Sequence, residues 1–273
     1  NRNELSTYYN VGKLLIEAGK QYGEKIIGNY SEKLVVEVGK KYNKRTLFRM
    51  RQFYKLIEEQ KVSTVSTQLS WSHYCELLSI KDIDEINYYI ITTERYNLSV
   101  RELRERIKNK EYQRLDDNTK LKLINKKELY ISDTIKNPII IKNKLEIDKE
   151  NVSEKMLQKI ILEDIEGFMR ELGDSFSFIG SEYKIKINNA YNYIDLLLFN
   201  IKYNCYVVVE LKVTEVKKEH IGQIEVYMNY IDKHVKNITN DRTIGIIVAR
   251  RDNHYYIEYS SDKIIYTRDY ELV

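Results

Sequence analysis

The chain has 273 residues, enough at about 100–200 residues per domain for two domains, each burying its own core. Lys and Arg number 45 against 41 Asp and Glu, a net charge of +4 too small to name a partner, while 42% apolar residues exclude a disordered chain. Cys75 and Cys205 lie far apart without metal-type spacing, which excludes a disulfide framework or a cysteine-based zinc site, and no run of about 18 apolar residues exists to cross a membrane.

A soluble, cytoplasmic protein is therefore expected. The first residue is Asn with a polar stretch behind it, which reads as a fragment without a signal peptide. From Asn3 to about Lys127 the apolar residues recur at three- and four-residue steps, beginning with Leu5, Tyr8, Val11 and Leu15. This predicts helices near the N-terminus, over Ser31 to Tyr42, over Thr46 to Glu59 and over His73 to Ser79, the last capped by Ser70 or Ser72. Asp82 caps another through Ile91, and Ser99 with Glu102 has capping-box spacing ahead of a helix reaching Tyr112. Residues 1–127 thus read as an all-helical domain. Polar residues and the single proline, Pro138, make 128–150 a linker, and 151–273 a second domain.

The second domain opens with a helix from Ser153 to Leu172, stopped by Gly173, after which the period changes to that of strands. Strands are predicted over Glu182 to Ile187, Tyr191 to Phe199 and Tyr203 to Val213, then a helix from Lys218 to Val235 and a strand from Thr243 to Ala249. An amphipathic stretch at Tyr255 to Tyr259 and a strand at Lys263 to Tyr266 close the chain. The order αβββαβ implies a mixed sheet flanked by helices, so the fold class is an α+β protein of two domains.

Two of these strands carry residues that a buried strand should not. Val207-Val-Val209 has the continuous apolar character of a strand covered on both faces, yet Glu210 and Lys212 follow on one face, about 6.6 Å apart. Asp195 interrupts Tyr193-Ile-Asp-Leu-Leu-Leu-Phe199, and in a hairpin it lies close to Glu210. Such charges are costly near a sheet core unless they are paired or bind something. Two readings stay open on residue types alone. Either Asp195 and Lys212 form a structural ion pair with Glu210 solvated, or two hard oxygen donors hold a Mg²⁺-class ion, Mg²⁺ or Mn²⁺, for phosphodiester hydrolysis with the lysine polarising the nucleophile. On the next helix Gln223 and Tyr227 share a face at i and i+4, where Gln223 can orient water or touch a phosphate and Tyr227 can stack. His220 reads as a surface histidine.

Asp195, Glu210-Leu-Lys212 and Gln223 with Tyr227 resemble the PD-(D/E)XK nuclease superfamily. More closely, Tyr193-Ile-Asp-Leu196, Val209-Glu-Leu-Lys212 and Gly222-Gln223 resemble the bacterial YhcG family, as do Arg49-Met-Arg-Gln-Phe-Tyr54, Gln68-Leu-Ser-Trp-Ser-His-Tyr74 and Ser99-Val-Arg-Glu102 of its helical N-terminal domain. The resemblance implies a restriction-endonuclease-like αβββαβ core and a Mg²⁺-dependent DNA nuclease, with Asp195 and Glu210 as metal ligands and Lys212 as the catalytic lysine. It also implies an acidic residue on the first core helix; the aligned position is Gln158, with Glu163 and Asp164 further along. A member that has lost catalysis and acts as a DNA-binding or assembly protein is the alternative.

In the helical half, Lys40 to Lys61 holds eight basic residues against two acidic ones, a local excess of six. A helix, a polar turn and a basic helix with Arg45, Arg49 and Gln52 at three- and four-residue spacing resemble a helix-turn-helix. Lys44, Arg45, Arg49, Arg51 and Gln52 are the expected DNA contacts, the cations on phosphates and Gln52 able to read adenine. Trp71 reads as a core anchor beneath that helix. Homodimerisation would suit cleavage of two strands. Most of the 24 tyrosines alternate with aliphatic residues at core spacing.

Overall fold

The structure is a computed structural model that describes residues 2–22, 26–59, 68–250 and 264–273. It divides into two compact units, Asn1–Tyr112 and Gln113–Val273.

The first unit is helical, with α1 (Arg2–Tyr22), α2 (Ile26–Glu37), α3 (Lys44–Glu59), α4 (Trp71–Leu77), α5 (Ile83–Tyr96) and α6 (Val100–Lys108). The caps explain the boundaries. Ser70 accepts from the His73 amide, Asp82 from the amides of Asp84 and Glu85, and Ser99 forms a capping box with Glu102. Helix α5 runs beyond Ile91 to Tyr96 and ends on Asn97 in the left-handed region, whereas α6 stops at Lys108, short of Tyr112. The α2–α3 connection is not a bare polar turn. Gly39 at φ 136 breaks the chain, a 3₁₀ turn spans Lys40–Tyr42, and Asn43 Oδ1 accepts the Thr46 amide at 3.1 Å to start α3. Gly12 lets α1 approach α3 closely, since a Cβ there would stand 2.2 Å from the Met50 carbonyl oxygen. The resulting core gathers Tyr8, Leu15, Ile27, Leu47 and Met50, with Trp71 packed against it.

The second unit holds α7 (Asp117–Ile124), α8 (Ile131–Thr134), β1 (Ile139–Ile141), α9 (Glu154–Glu163), α10 (Ile165–Leu172), β2 (Phe176–Ile187), β3 (Ala190–Asn200), β4 (Cys205–Lys212), α11 (Lys218–His234), β5 (Ile244–Arg250) and β6 (Ile265–Leu272). The sheet order is β1-β6-β5-β4-β3-β2. The β2/β3 and β3/β4 pairs are antiparallel, and β4/β5, β5/β6 and β1/β6 are parallel. One face packs on α9 and α10 through Leu157, Ile161, Leu196, Val209 and Val248; the other packs on α11 through Leu197, Val208, Ile224, Met228 and Ile247. Strand β4 is covered on both sides, as its apolar run requires.

Three expectations change. Residues 128–150 are not a linker: they carry α8 and β1, and Ile139–Ile141 extends the sheet by pairing with Tyr270–Leu272. Periodicity does not reveal this, because the segment is held by side chains that bond backbone: Thr134 Oγ1 to the Leu172 carbonyl, Lys136 Nζ to the Arg170 carbonyl and Glu171 Oε2 to the Ile140 amide. The helix expected over Ser153 to Leu172 is two, because Asp164 leaves helical geometry at φ −138, ψ 51. The last strand is Ile265–Leu272, pairing with β5 on one side and β1 on the other; Tyr255 to Tyr259 lies outside the described residues.

Candidate active site

Antiparallel pairing of β3 with β4 sets Asp195 opposite Glu210, one step beyond the last pair, Leu196 with Val209. There the backbone ladder stops, and the Leu211 amide donates to Asp195 Oδ2 at 2.8 Å. The carboxylate thus replaces a backbone carbonyl at the point where the strand bends. On its other side the pairing of β2 with β3 skips Glu182, which adopts φ 46 where Asp195 would face it. Across this irregularity the strand changes faces: Ile194 packs under α11, while Leu196, two residues on, packs on the α9 side. The register is the same on both sides of this unpaired step, so it is a local break in the ladder; the register shift of the pair lies between Phe178 and Gly180.

Glu210 and Lys212 follow Val208 on the α11 face of β4, at the carboxyl end of a parallel strand, where open α/β sheets bind ligands. Glu210 is 2% exposed and Lys212 7%. Lys212 Nζ lies 3.4 Å from Glu210 Oε2 and 3.5 Å from Glu154 Oε2. Glu210 Oε1 is buried with no hydrogen-bond partner. Burial pushes the Glu210 carboxyl up to about 8, helped by Asp195 and opposed by Lys212. Burial also raises Asp195, against the pull of the Leu211 amide and Lys212. Burial would lower the Lys212 ammonium, but Glu210, Glu154 and Asp195 together hold it above its ordinary value.

The three core residues of the sequence reading therefore converge. Gln158 Nε2 donates to the Asp195 backbone carbonyl at 2.9 Å, fixing the bent strand instead of presenting a ligand. The first-helix carboxylate that reaches the site is Glu154, missed in the sequence; its signal was the i, i−4 relation to Gln158, which puts both on one helix face. Glu163 ends α9, and Asp164 pairs with Lys144 at 3.2 Å. Gln223 Nε2 donates to Tyr227 Oη at 2.8 Å, and Tyr227 is buried in the core beneath α11. These two are joined to each other. His220 is half-buried in the first turn of α11, its imidazole lowered by burial and by Lys212, with Nδ1 accepting the Lys217 amide at 3.1 Å.

In the first unit, Lys44, Arg45 and Gln52 are exposed on α3, opposite its buried residues Leu47, Met50 and Phe53. Arg49 points inward to the Cys75 thiol and the Glu76 carboxylate, and the Arg51 guanidinium lies over the Phe48 ring at 4.9 Å. Trp71 packs against Tyr8 and Phe53. His73 closes a local clasp, with Nδ1 at the Ser70 amide and Nε2 at the Leu98 carbonyl.

Whether a divalent ion fits is decided by the donors. Among the described residues no three His, Cys, Asp or Glu side chains form a ready-made cage. Magnesium does not need one: it takes one or two carboxylates and completes its shell with water and phosphate oxygens. Two facing carboxylates, one with an orphaned buried oxygen, fit that demand.

A mixed sheet with an acid pair and a lysine at the bend of its central hairpin defines a nuclease domain of the PDDEXK type, and residues 132–272 match the YhcG PDDEXK nuclease domain. Residues 1–114 match the DUF1016 N-terminal domain, so the chain belongs to the YhcG family. It is 26% identical over 286 aligned positions to the "Putative nuclease YhcG" of Escherichia coli (strain K12), covering 89% of this chain and 76% of that protein. A crystal structure of a repair endonuclease from Pyrococcus abyssi matches 45% of this chain and 49% of its own at 18% identity and a TM-score of 0.33. No helix among the described residues is long and apolar enough to cross a membrane.

Proposed function

We propose that the protein is a Mg²⁺-dependent nuclease that hydrolyses phosphodiester bonds in DNA, with the helical unit binding DNA. The observation that carries this reading is the buried Glu210 Oε1, without a hydrogen-bond partner, on a carboxylate whose neighbour is Asp195. A carboxylate left so is strongly destabilising unless a proton or a cation completes it. Asp195 and Glu210 would hold Mg²⁺ or Mn²⁺, which on binding acidifies a water and neutralises charge on the phosphoryl oxygens.

The chain's own residues do the rest. The Leu211 amide fixes one oxygen of Asp195, and Gln158 fixes its backbone, so the carboxylate is oriented before any ligand arrives. Lys212 is kept charged by Glu210 and Glu154 and offers an ammonium to the nucleophile or to a phosphate oxygen. Gln223 and Tyr227 act as a positioning pair at the helix–sheet interface. On α3, Lys44, Arg45 and Arg51 would meet phosphates and Gln52 a base edge, with Arg49 bracing the helix against α4.

Incubation with linear, nicked and branched DNA in Mg²⁺ or EDTA tests the reading. Cutting should need the metal and vanish in Asp195→Ala and Lys212→Ala. Cutting that survives either substitution or ignores EDTA overturns the assignment. A second reading, a nuclease-like protein that binds DNA without cutting it, is favoured by Gln158 standing where the family places an acid; it requires DNA binding with no Mg²⁺-dependent cleavage of any of these substrates.

A further inference from the structure

Beyond the Leu196–Val209 pair, β3 leaves β4 and continues with β2 alone, through Tyr183 opposite Ile194, Lys184 opposite Tyr193, Ile185 opposite Asn192 and Lys186 opposite Tyr191. This two-stranded ribbon begins at Asp195. Its inner face is apolar: Ile185 and Ile194 are buried and, with Tyr183 and Ile187, join the core beneath α11. The outer face is formed by Lys184, Lys186, Tyr191 and Tyr193, all exposed, the two rings at 58% and 52%. Lys184 Nζ lies 3.8 Å from the Tyr191 ring centroid.

Solvent faces of antiparallel sheets are ordinarily polar, so two large rings held open on a ribbon require a reason. Tyr193 is two residues from Asp195, about 6.6 Å along the strand, so the open rings begin beside that carboxylate. Paired lysines across from the tyrosines give the patch the charge of a phosphate-binding surface. Glu182, exposed at the base of the ribbon, is the acidic group beside it, across Asp195 from Glu210.

The choice of partner follows from the side chains. Reading a duplex through its grooves uses donors such as Arg, Lys, Asn or Gln on base edges; of these the outer face has only Lys184 and Lys186, and Lys184 lies over the Tyr191 ring. Tyrosine rings with lysines between them match unpaired bases, which stack on aromatic side chains without regard to sequence while cations track the backbone. We propose that this ribbon face holds an unpaired segment of DNA next to the scissile phosphodiester, so that the substrate is DNA with a single-stranded stretch at the cut. The proposal rests on the nuclease reading above and adds the substrate class.

The test uses the full chain in EDTA, where metal-dependent cutting is off, and measures binding of a fluorescent single-stranded oligothymidine and of a blunt duplex of equal length. Tyr191→Ala/Tyr193→Ala should weaken single-strand binding at least tenfold and duplex binding less than twofold, whereas Tyr191→Phe/Tyr193→Phe should bind as the parent does. Lys184→Ala/Lys186→Ala should reduce the single-strand salt slope by about 1.4, two contacts at about 0.7 each. A bromouracil-substituted strand should photocrosslink to the peptide containing Tyr191 and Tyr193, a readout that does not depend on how well the alanine variant folds. Unchanged single-strand binding, equal losses for both DNAs or crosslinks confined to other peptides overturn the proposal. Failure of the nuclease reading shows separately, as parent protein that never cuts in Mg²⁺ while the binding difference persists.

Discussion

Lys212 Nζ stands 3.5 Å from Glu154 Oε2, an ion pair that joins the end of β4 to the first turn of α9. It brings a carboxylate of the first core helix to Lys212. The aligned Gln158 is buried and spends its amide on the Asp195 carbonyl, while Glu154, one turn earlier, stays 43% exposed at the mouth of the site. Glu154→Gln should lower Mg²⁺-dependent cleavage about 10- to 100-fold with DNA affinity unchanged, the range for groups that orient metal ligands and their partners. Gln158→Leu should lower cleavage and also thermal stability, because a buried carbonyl loses its donor. Equal activity of Glu154→Gln and the parent removes Glu154 from the site.

The Glu210 carboxyl is raised by burial to about 8 from an ordinary 4.5, which fixes the sign of its pH dependence. A folded-state value above the unfolded one favours folding fully below pH 4.5, and this contribution is lost as pH rises through 8. In EDTA the melting temperature should therefore fall between these limits, more gently in Glu210→Gln. Added Mg²⁺ should raise the melting temperature at pH 8 and have little effect at pH 5, because protons and the cation compete for the same oxygens. Melting curves across pH with and without Mg²⁺ measure this; a Mg²⁺ shift of equal size in Glu210→Gln contradicts it.

The parts of this site legible in the sequence were those written as violations of a pattern. Glu210 and Lys212 break an apolar run, Asp195 breaks another, and antiparallel register then places them together. What periodicity could not show were features made by backbone geometry or by polar side chains bonding backbone. The break in the ladder at Glu182 and Asp195 goes with φ 46 at one residue, and nothing in the types Ser-Glu-Tyr announces it. Strand β1 is three isoleucines after a proline, too short to carry a period, and it pairs with β6, some 130 residues later in the chain. Helix α3 shows the same limit on the basic face: spacing puts Arg45 and Arg49 on one side, but only packing reveals that Arg49 turns to Cys75 and Glu76.

That difference separates two charge reversals. Arg45 is exposed, so Arg45→Glu should reduce DNA affinity and lower the salt slope on duplex by about 0.9 per lost phosphate contact, with no change in melting temperature. Arg49→Glu should lower the melting temperature as well, since it sets a carboxylate beside Glu76, which already pairs with Arg104 at 2.7 Å. Binding titrations at several salt concentrations and melting curves of both variants check this. A salt slope unaltered by Arg45→Glu takes α3 out of the DNA interface.

The segment that leads into the sheet is tied down by Arg114 and Glu171. Both side chains are nearly buried, at 8% and 12% exposure, and they meet through both terminal guanidinium nitrogens and both carboxylate oxygens. Arg114 also donates to the Pro138 carbonyl at 2.7 Å, and Glu171 accepts the Ile140 amide at 3.0 Å, so the pair anchors β1 from both sides. Arg114→Met leaves the carboxylate buried without its cation and should cost about 3–5 kcal/mol. At about 2–4 °C per kcal/mol for a unit of this size, that is a fall in melting temperature of roughly 6–20 °C. A second substitution distinguishes charge from hydrogen bonding. Glu171→Leu in the Arg114→Met background removes the unpaired charge but orphans the Ile140 amide, whereas Glu171→Gln removes the charge and keeps an acceptor for it. The glutamine double variant should therefore recover more stability than the leucine one, by about 1–3 kcal/mol, the cost of an unsatisfied buried donor. Equal recovery would mean that the Ile140 hydrogen bond to Glu171 contributes nothing to holding β1.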